Sequence, residues 1–385
     1  MQAQYVGTAE TVFGVLKQFW PVWLALVVVL VPSFLFKKRL GLYGHLFDSG
    51  VGIAGVAICL FWLFTAIFAA QIAPFDPLAQ FPLMKDTLPG AIEATSGKVF
   101  LFGGDKLARD VFSRMVYGSQ IVLIIAPAAT AFALMVGTTL GLPAGYYGGK
   151  VDTILSFLAN LVLAFPVILL FYLLVTPGIM DTAIPYAIAG IFFLFPIIFF
   201  VALFWTRFRK RPRLLAALLM LTILVGGWIY VGLVFDADPL RIIRIQPNQL
   251  NIFIAVVFAS SPGVFRIVRG LTMDIKTRDY VAAAQTRGET PWYIMLWETV
   301  PNARGPLIVD ACLRIGYTTI LLGTLGYFGL GLAPESPDWG TAIKESSRLL
   351  RSFVHPALPP AIALMSFVLG LNLLADALRE QSLKD

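Results

Sequence analysis

Apolar and polar residues alternate along this chain in long blocks rather than in short periods. Nine apolar runs approach the length, about 20 residues, that a helix needs to cross a bilayer. They are Phe19–Phe36, Val51–Ile72, Ile121–Tyr146, Ile154–Val175, Ala183–Trp205, Leu214–Val234, Leu250–Val268, Cys312–Leu332 and Ala357–Leu374. The first is short and has Pro21 and Pro32 near its ends, so a re-entrant or interfacial helix is an alternative there. The fold class predicted by these runs is all-α, a polytopic transmembrane bundle.

Composition agrees with the blocks. Of 385 residues, 58% are apolar and 13% charged, about half the ~25% charge of a typical soluble domain. Mean hydropathy is +0.82. A soluble domain of this size lacks the interior volume to hide so much apolar side chain, and disorder needs the opposite composition.

The net charge of +7 would, in a soluble protein, admit a nucleic-acid partner. Its distribution points instead to orientation. Lys37, Lys38 and Arg39 follow the first run, and Arg207, Arg209, Lys210, Arg211 and Arg213 follow the fifth. Arg266, Arg269, Lys276, Arg278, Arg287 and Arg304 lie in or beside the long stretch between the seventh and eighth. In a nine-span count these loops share one side, and Lys and Arg collect on the cytoplasmic side. The expectation is a multi-pass plasma-membrane protein (inner membrane in a Gram-negative cell) with its C-terminus cytoplasmic, its N-terminus outside and no nucleic-acid partner. No cleavable signal peptide is expected, since the first run follows no basic region and lacks a small-residue cleavage site.

Two polar stretches interrupt the blocks. In the outer one, 73–118, acidic and basic residues nearly cancel. Its end, Lys106–Tyr117, predicts an amphipathic helix along the membrane surface. Leu107, Val111, Met115 and Val116 form its apolar stripe, and Arg109, Asp110, Ser113 and Arg114 its polar face. The inner stretch, 270–305, predicts two short helices. Asp279 can cap a helix Tyr280–Arg287, Ala282, Ala283 and Ala284 favour it, and Gly288 can end it in a left-handed conformation. A second helix can start near Pro291, and Pro301 follows its end. The small alanines give the first helix a low profile suited to a groove of another protein, with Arg278, Tyr280 and Arg287 as anchors. From spacing alone, a plain connector between membrane helices is an equal alternative.

Catalytic chemistry is sparse. Cys59 and Cys312 fall in apolar runs, and His45 and His355 are isolated. Neither a disulfide framework nor a metal site is expected. The sequence GYYGGKVD fails as a phosphate-binding loop, because position 144 is Ala and Val151 follows Lys150. No cofactor is therefore expected in this chain; energy, if it is used, must come from a separate ATPase that would hold ATP with Mg²⁺. Charges at the bilayer centre cost roughly 2.5–3.5 kcal/mol and mark function. Here Asp310 and Arg314 stand at a helical i, i+4 spacing that suits a structural pair. No chain of carboxylates suggests a proton-coupled carrier. Asn160, Ser260, Ser261, Tyr317, Thr318 and Thr319 are polar positions in apolar spans, readable as glue between helices or as candidate pathway lining.

Ordered motifs then give a resemblance. Ala283, Ala284, Gly288, Pro301 and Asn302 stand at positions matching the EAA loop of ABC importer permeases, with Ala282 and Glu298 as departures. QIAPFDPL (71–78), FGGDKLARDVFSRMVYGSQ (102–120), AGYYGGKVD (144–152), AFP (164–166), YFGLGL with SPDWG (327–340) and LNLLADALRE (371–380) follow in family order. The chain resembles the C-type permease subunit of the dipeptide/oligopeptide/nickel importers. The resemblance implies a six-span core, with residues 279–302 receiving the push of two cytoplasmic ATPases. It also implies a second homologous permease and an extracytoplasmic solute-binding protein facing 73–118 and Pro334–Arg351. The implied cargo is a peptide or related small solute.

Against that pattern the chain adds residues 1–50, with an extra run, and 177–249, with two more runs and the Arg207–Arg213 cluster. The core then comprises 51–176 and 250–385. An even number of added spans keeps every later loop on its expected side. The additions are readable as lipid-facing packing, or as a subunit or lipid contact, since basic clusters hold anionic head groups. Two other classes remain as alternatives from the residues: a self-contained secondary transporter or channel, and a membrane scaffold.

Overall fold

The computed structural model describes residues 4–180, 182–235, 237–238, 247–330, 336–347, 350 and 352–382. Its main helices in chain order are α1 (Thr8–Gln18), α2 (Trp20–Leu35), α3 (Gly50–Ile67), α4 (Val111–Tyr147), α5 (Gly149–Ala164), α6 (Val167–Val175), α7 (Ala183–Phe208), α8 (Pro212–Phe235) and α9 (Pro247–Ile275). They continue with α10 (Asp279–Thr286), α11 (291–302), α12 (Arg304–Phe328), α13 (Trp339–Ser347) and α14 (Leu358–Ser382). A two-stranded antiparallel ribbon, β1 (Ala91–Ile92) with β2 (Val99–Phe100), pairs Ala91 with Phe100 and Ile92 with Val99. Among the described residues seven helices are long and apolar enough to cross a membrane, or up to nine if each of two bent pairs is one span.

Those two bent pairs depart from the straight spans read in the sequence. The run Ile154–Val175 is broken between α5 and α6, which meet at 76°. Pro166 disfavours helical backbone at Phe165, which is extended at φ −82° and ψ 129°. The first run is the second half of a pair, α1 and α2, bent by 50°.

The chain forms two compact units, residues 1–127 with 312–385, and residues 128–311. In the first, α3 and α14 pack closely through small residues. A Cβ at Gly55 would lie 2.6 Å from the Leu374 nitrogen, so only glycine admits this approach. Phe19, Trp62, Phe112, Trp339 and Phe367 fill the core beside them. The Trp62 indole donates to the Ser366 hydroxyl at 3.0 Å, and that of Trp339 to the Met115 carbonyl at 2.9 Å.

In the second unit, Gly137, Gly141 and Gly145 of α4 form one stripe against α9, facing Val264, Phe265, Val268, Arg269 and Thr272. Small residues at this spacing let two backbones close up, which is how apolar helices associate without a hydrophobic drive between them. The added helices α7 and α8 form a hairpin. Phe193 of α7 packs with Phe132 and Phe253, whereas in α8 only Leu215, Gly232 and Val234 are buried. That surface suits lipid.

Candidate functional site

The 105–114 stretch is not a surface helix. Asp110 caps α4, its Oδ2 accepting the Ser113 N–H at 2.9 Å and the Ser113 hydroxyl at 2.6 Å. The helix then runs unbroken from Val111 into the membrane-length segment. The polar face expected in water is buried, with Arg109 1%, Asp110 0%, Ser113 0% and Arg114 2% exposed. Arg109 donates to Asp105 at 2.8 Å and to Glu345. Arg114 reaches Asp105 at 3.3 Å and Glu345 at 3.0 Å, and the Ser336 carbonyl at 3.3 Å. Asp338 caps α13 through the Thr341 N–H at 2.9 Å. Burial pushes the Asp110 carboxyl up to about 6. Helical spacing groups these side chains on one face, but nothing in the local sequence says that protein rather than water covers it. Of the expected binding-protein face Pro334–Arg351, residues 334–335, 348–349 and 351 lie outside the described residues.

The 270–305 stretch is built differently. Helix α9 continues past the apolar run to Ile275, so Arg266 and Arg269 are helical. Arg269 pairs with Asp152, and Lys276 donates to the Gly145 carbonyl at 3.0 Å, near the end of α4. Helix α10 then starts one residue earlier than expected. Arg278 occupies the cap position, without a side-chain cap bond, so Asp279 is the first helical residue instead. There its carboxylate still suits the positive end of the helix dipole.

Helix α10 ends in two backbone bonds. The Gly288 N–H donates to the Gln285 carbonyl at 2.9 Å, and the Glu289 N–H to the Ala284 carbonyl at 3.2 Å. This is the Schellman pattern, with Gly288 at φ +77°. The Thr290 hydroxyl accepts from the Tyr293 N–H at 3.4 Å and opens α11. Its middle, Ile294–Thr299, is π-helical. Pro301 therefore lies inside the helical run and not after it. The wider turn changes which carbonyls need partners, and such turns recur at functional sites.

One face of this pair is closed and the other open. Val281 and Ala284 are fully buried against Ile275, Ile294 and Ala303. Asp279, Tyr280, Ala282, Ala283, Arg287, Gly288, Pro301 and Asn302 are exposed. Thus eight of the nine residues singled out in the sequence lie on the surface, and Ala284 serves the interior. Three adjacent alanines look alike in sequence; only the fold assigns the inward one. Arg287 pairs with Glu298 at 3.0 Å, and the Asn302 amide donates to the Glu298 carbonyl at 2.6 Å. The open face offers small methyls with a phenol and a guanidinium at its margin.

The added helix α7 reaches this pair. Arg207 donates to the Tyr293 hydroxyl at 3.1 Å and lies 4.8 Å over the Trp297 ring. The Trp297 indole donates to the Thr206 hydroxyl at 3.1 Å. No local signal in the sequence links these positions.

The candidate pathway residues are scattered. Asn160 accepts from Arg266 at 2.7 Å, and both line a cleft of about 350 Å³. The Ser261 hydroxyl is buried and bonds back to the Val257 carbonyl at 2.5 Å, a helix-internal use. Ser260 is half-buried beside it. In the other unit Tyr317 is largely exposed and Thr318 and Thr319 are buried. Among the described residues no group of His, Cys, Asp and Glu could hold a metal.

Residues 137–382 match the family model described as binding-protein-dependent transport system inner membrane component. The chain is 26% identical over 328 residues to the dipeptide transport system permease protein of Haemophilus influenzae, covering 85% of this chain and 88% of that protein. It is 26% identical over 350 residues to the di/tripeptide transport system permease protein of Pseudomonas aeruginosa, covering 91% and 93%. It is 27% identical over 330 residues to the glutathione transport system permease protein of Pectobacterium atrosepticum, covering 86% and 85%. Match and helical architecture agree: the chain belongs to the family of binding-protein-dependent transport system inner membrane components, and is a permease subunit, not an enzyme, of an ABC importer that works with ATPase and binding-protein partners.

Proposed function

We propose that this permease carries short peptides or a related small solute, and that α10 with the start of α11 receives the force of the ATPases. The relatives' peptide and glutathione cargoes support the first part. One observation carries the second: α10 exposes Ala282 and Ala283 on one face while Val281 and Ala284 fix its other face to α9, α11 and Ala303. A helix so seated passes a push to the spanning helices instead of absorbing it, and rocking of packed helices about a site is the usual form of alternating access. In this reading the 270–305 segment and the Arg207–Arg213 turn are cytoplasmic, as is the C-terminus. The contact of Arg207 with Tyr293 and Trp297 supports placing the two on the same side. The complete importer has a second homologous permease, two ATPases and an extracytoplasmic binding protein, with the 73–118 segment toward that protein. Asn160, Ser260, Ser261, Tyr317 and Thr318 remain candidates for the lining. A self-contained carrier or channel is not favoured.

Cysteine cross-linking tests the contact. In a chain whose Cys59 and Cys312 are replaced, Ala283→Cys should cross-link to a co-expressed ATPase subunit. Ala284→Cys, facing inward, should not. Equal cross-linking at both positions, or none at 283 in an assembled complex, would contradict this assignment.

A further inference from the structure

A groove opens where the added hairpin meets the Gly288 turn. It has a volume of about 1060 Å³ and runs between the lower half of α7, the turn into α8, and the Gly288 turn with the start of α11. Its chemistry is ordered along its length. Ile197, Ile198 and Val201 form an apolar wall. Trp205, Trp292 and Tyr293 follow at the border. Arg207, Arg209, Lys210, Arg211 and Arg287 make the rim, against a single acid, Glu289.

Two of these cations are engaged. Arg207 is held by Tyr293 and Trp297, and Arg287 by Glu298. The side chains of Arg209, Lys210 and Arg211 are exposed and have no hydrogen-bond or ion-pair partner among the described residues. Arg207 lies ten helical steps after Ile197, which at 1.5 Å each span about 15 Å. That is half the ~30 Å hydrocarbon core, one leaflet. An apolar wall one leaflet deep, an aromatic border and a cationic rim match a molecule with acyl chains below and a negative head above. Aromatic side chains favour that interfacial depth. An acidic loop of a partner protein would satisfy the rim and leave the apolar wall unmatched.

We propose that this groove binds an anionic phospholipid, whose head group is held by Arg209, Lys210 and Arg211 and braces the Gly288 turn against α7. Binding itself needs no ATPase; only its bearing on transport rests on the function proposed above.

The full chain, purified in neutral detergent, is titrated with phosphatidylglycerol and with phosphatidylcholine, and bound lipid is counted by native mass spectrometry. Phosphatidylglycerol should bind at least tenfold more tightly. The triple variant R209Q/K210Q/R211Q should lose that preference while binding phosphatidylcholine as the wild type does. K210E, a single change at an exposed turn, should weaken phosphatidylglycerol binding severalfold and serves if the triple variant fails to fold. Amide exchange across 287–293 should slow on adding phosphatidylglycerol to the wild type and not to the variants. Undiminished phosphatidylglycerol binding by both variants would overturn the proposal. So would displacement of the lipid by millimolar inorganic phosphate, which would mark a soluble-anion site. Variants that bind lipid normally but no longer associate with the ATPases would assign the rim to a protein contact instead.

Discussion

The 105–114 stretch with α13, and the α10–α11 pair, both border membrane-length helices and both use arginine–carboxylate pairs, in opposite ways. Arg109 and Arg114 are sealed from solvent and share Asp105 and Glu345. Arg278 and Arg287 have side chains more than half exposed, with one carboxylate each. In the first region charge fixes how chain segments far apart in sequence meet, because a buried charge without its partner is costly. In the second the shape is held by backbone caps and by Val281 and Ala284, and the paired surface charges stay open to solvent. A sealed charge network and an open helical face are thus told apart by burial, not by composition.

This contrast can be broken by mutation, most severely in the buried network. Arg109→Ala leaves Asp105 and Glu345 short of a partner, and should cost about 3–5 kcal/mol, read as a large fall in the unfolding temperature in detergent or loss of the folded chain. Arg287→Ala, the matched change on the open face, should cost at most about 1 kcal/mol. Comparable losses from the two would erase the distinction.

A titration sharpens it next. The Asp110 carboxyl, at about 6 in the folded chain against an ordinary 3.8, holds its proton more tightly when folded. Its contribution to stability therefore grows as pH falls from 6 toward 4 and is lost as pH rises through 6, by at most about 3 kcal/mol. Asp110→Asn keeps a good cap and should flatten that part of the profile. An unchanged pH dependence would contradict the buried carboxyl.

Gly288 gives a smaller effect. A Cβ there meets nothing within 4 Å, so Gly288→Ala is opposed only by the left-handed backbone, about 1–2 kcal/mol. Faster amide exchange confined to 284–290 would report it; exchange spread over the whole second unit would mean that the turn has a wider role.

Much of this was legible in the sequence because it depends on neighbours along the chain. Hydropathy placed the spans, and alanines followed by glycine placed α10 to within a residue. The misses depend on what covers a surface. Arg109, Asp110, Ser113 and Arg114 read in sequence as one helical face toward water, whereas the helix begins only at Val111 and Glu345 meets the two arginines. Ala284 differs from Ala283 only by pointing inward. Pro166 sat in a continuous apolar run, and the 76° bend there is a backbone effect that hydropathy does not weigh. Pro301 follows the helix in the sequence pattern, whereas the run continues through it after a π-helical turn. The contact of Arg207 with Tyr293 and Trp297 joins residues about 90 positions apart, beyond any local pattern.

The most direct test of the central claim, that the open face of α10 transmits the ATPase stroke, is substrate-stimulated ATP hydrolysis by the assembled importer carrying Ala283→Arg. The bulky cation stands on the exposed face and leaves the packing of Val281 and Ala284 intact. The expected result is a normally folded chain, with an unchanged unfolding temperature, whose stimulated hydrolysis falls at least tenfold. Wild-type stimulation with arginine at position 283 would contradict the account.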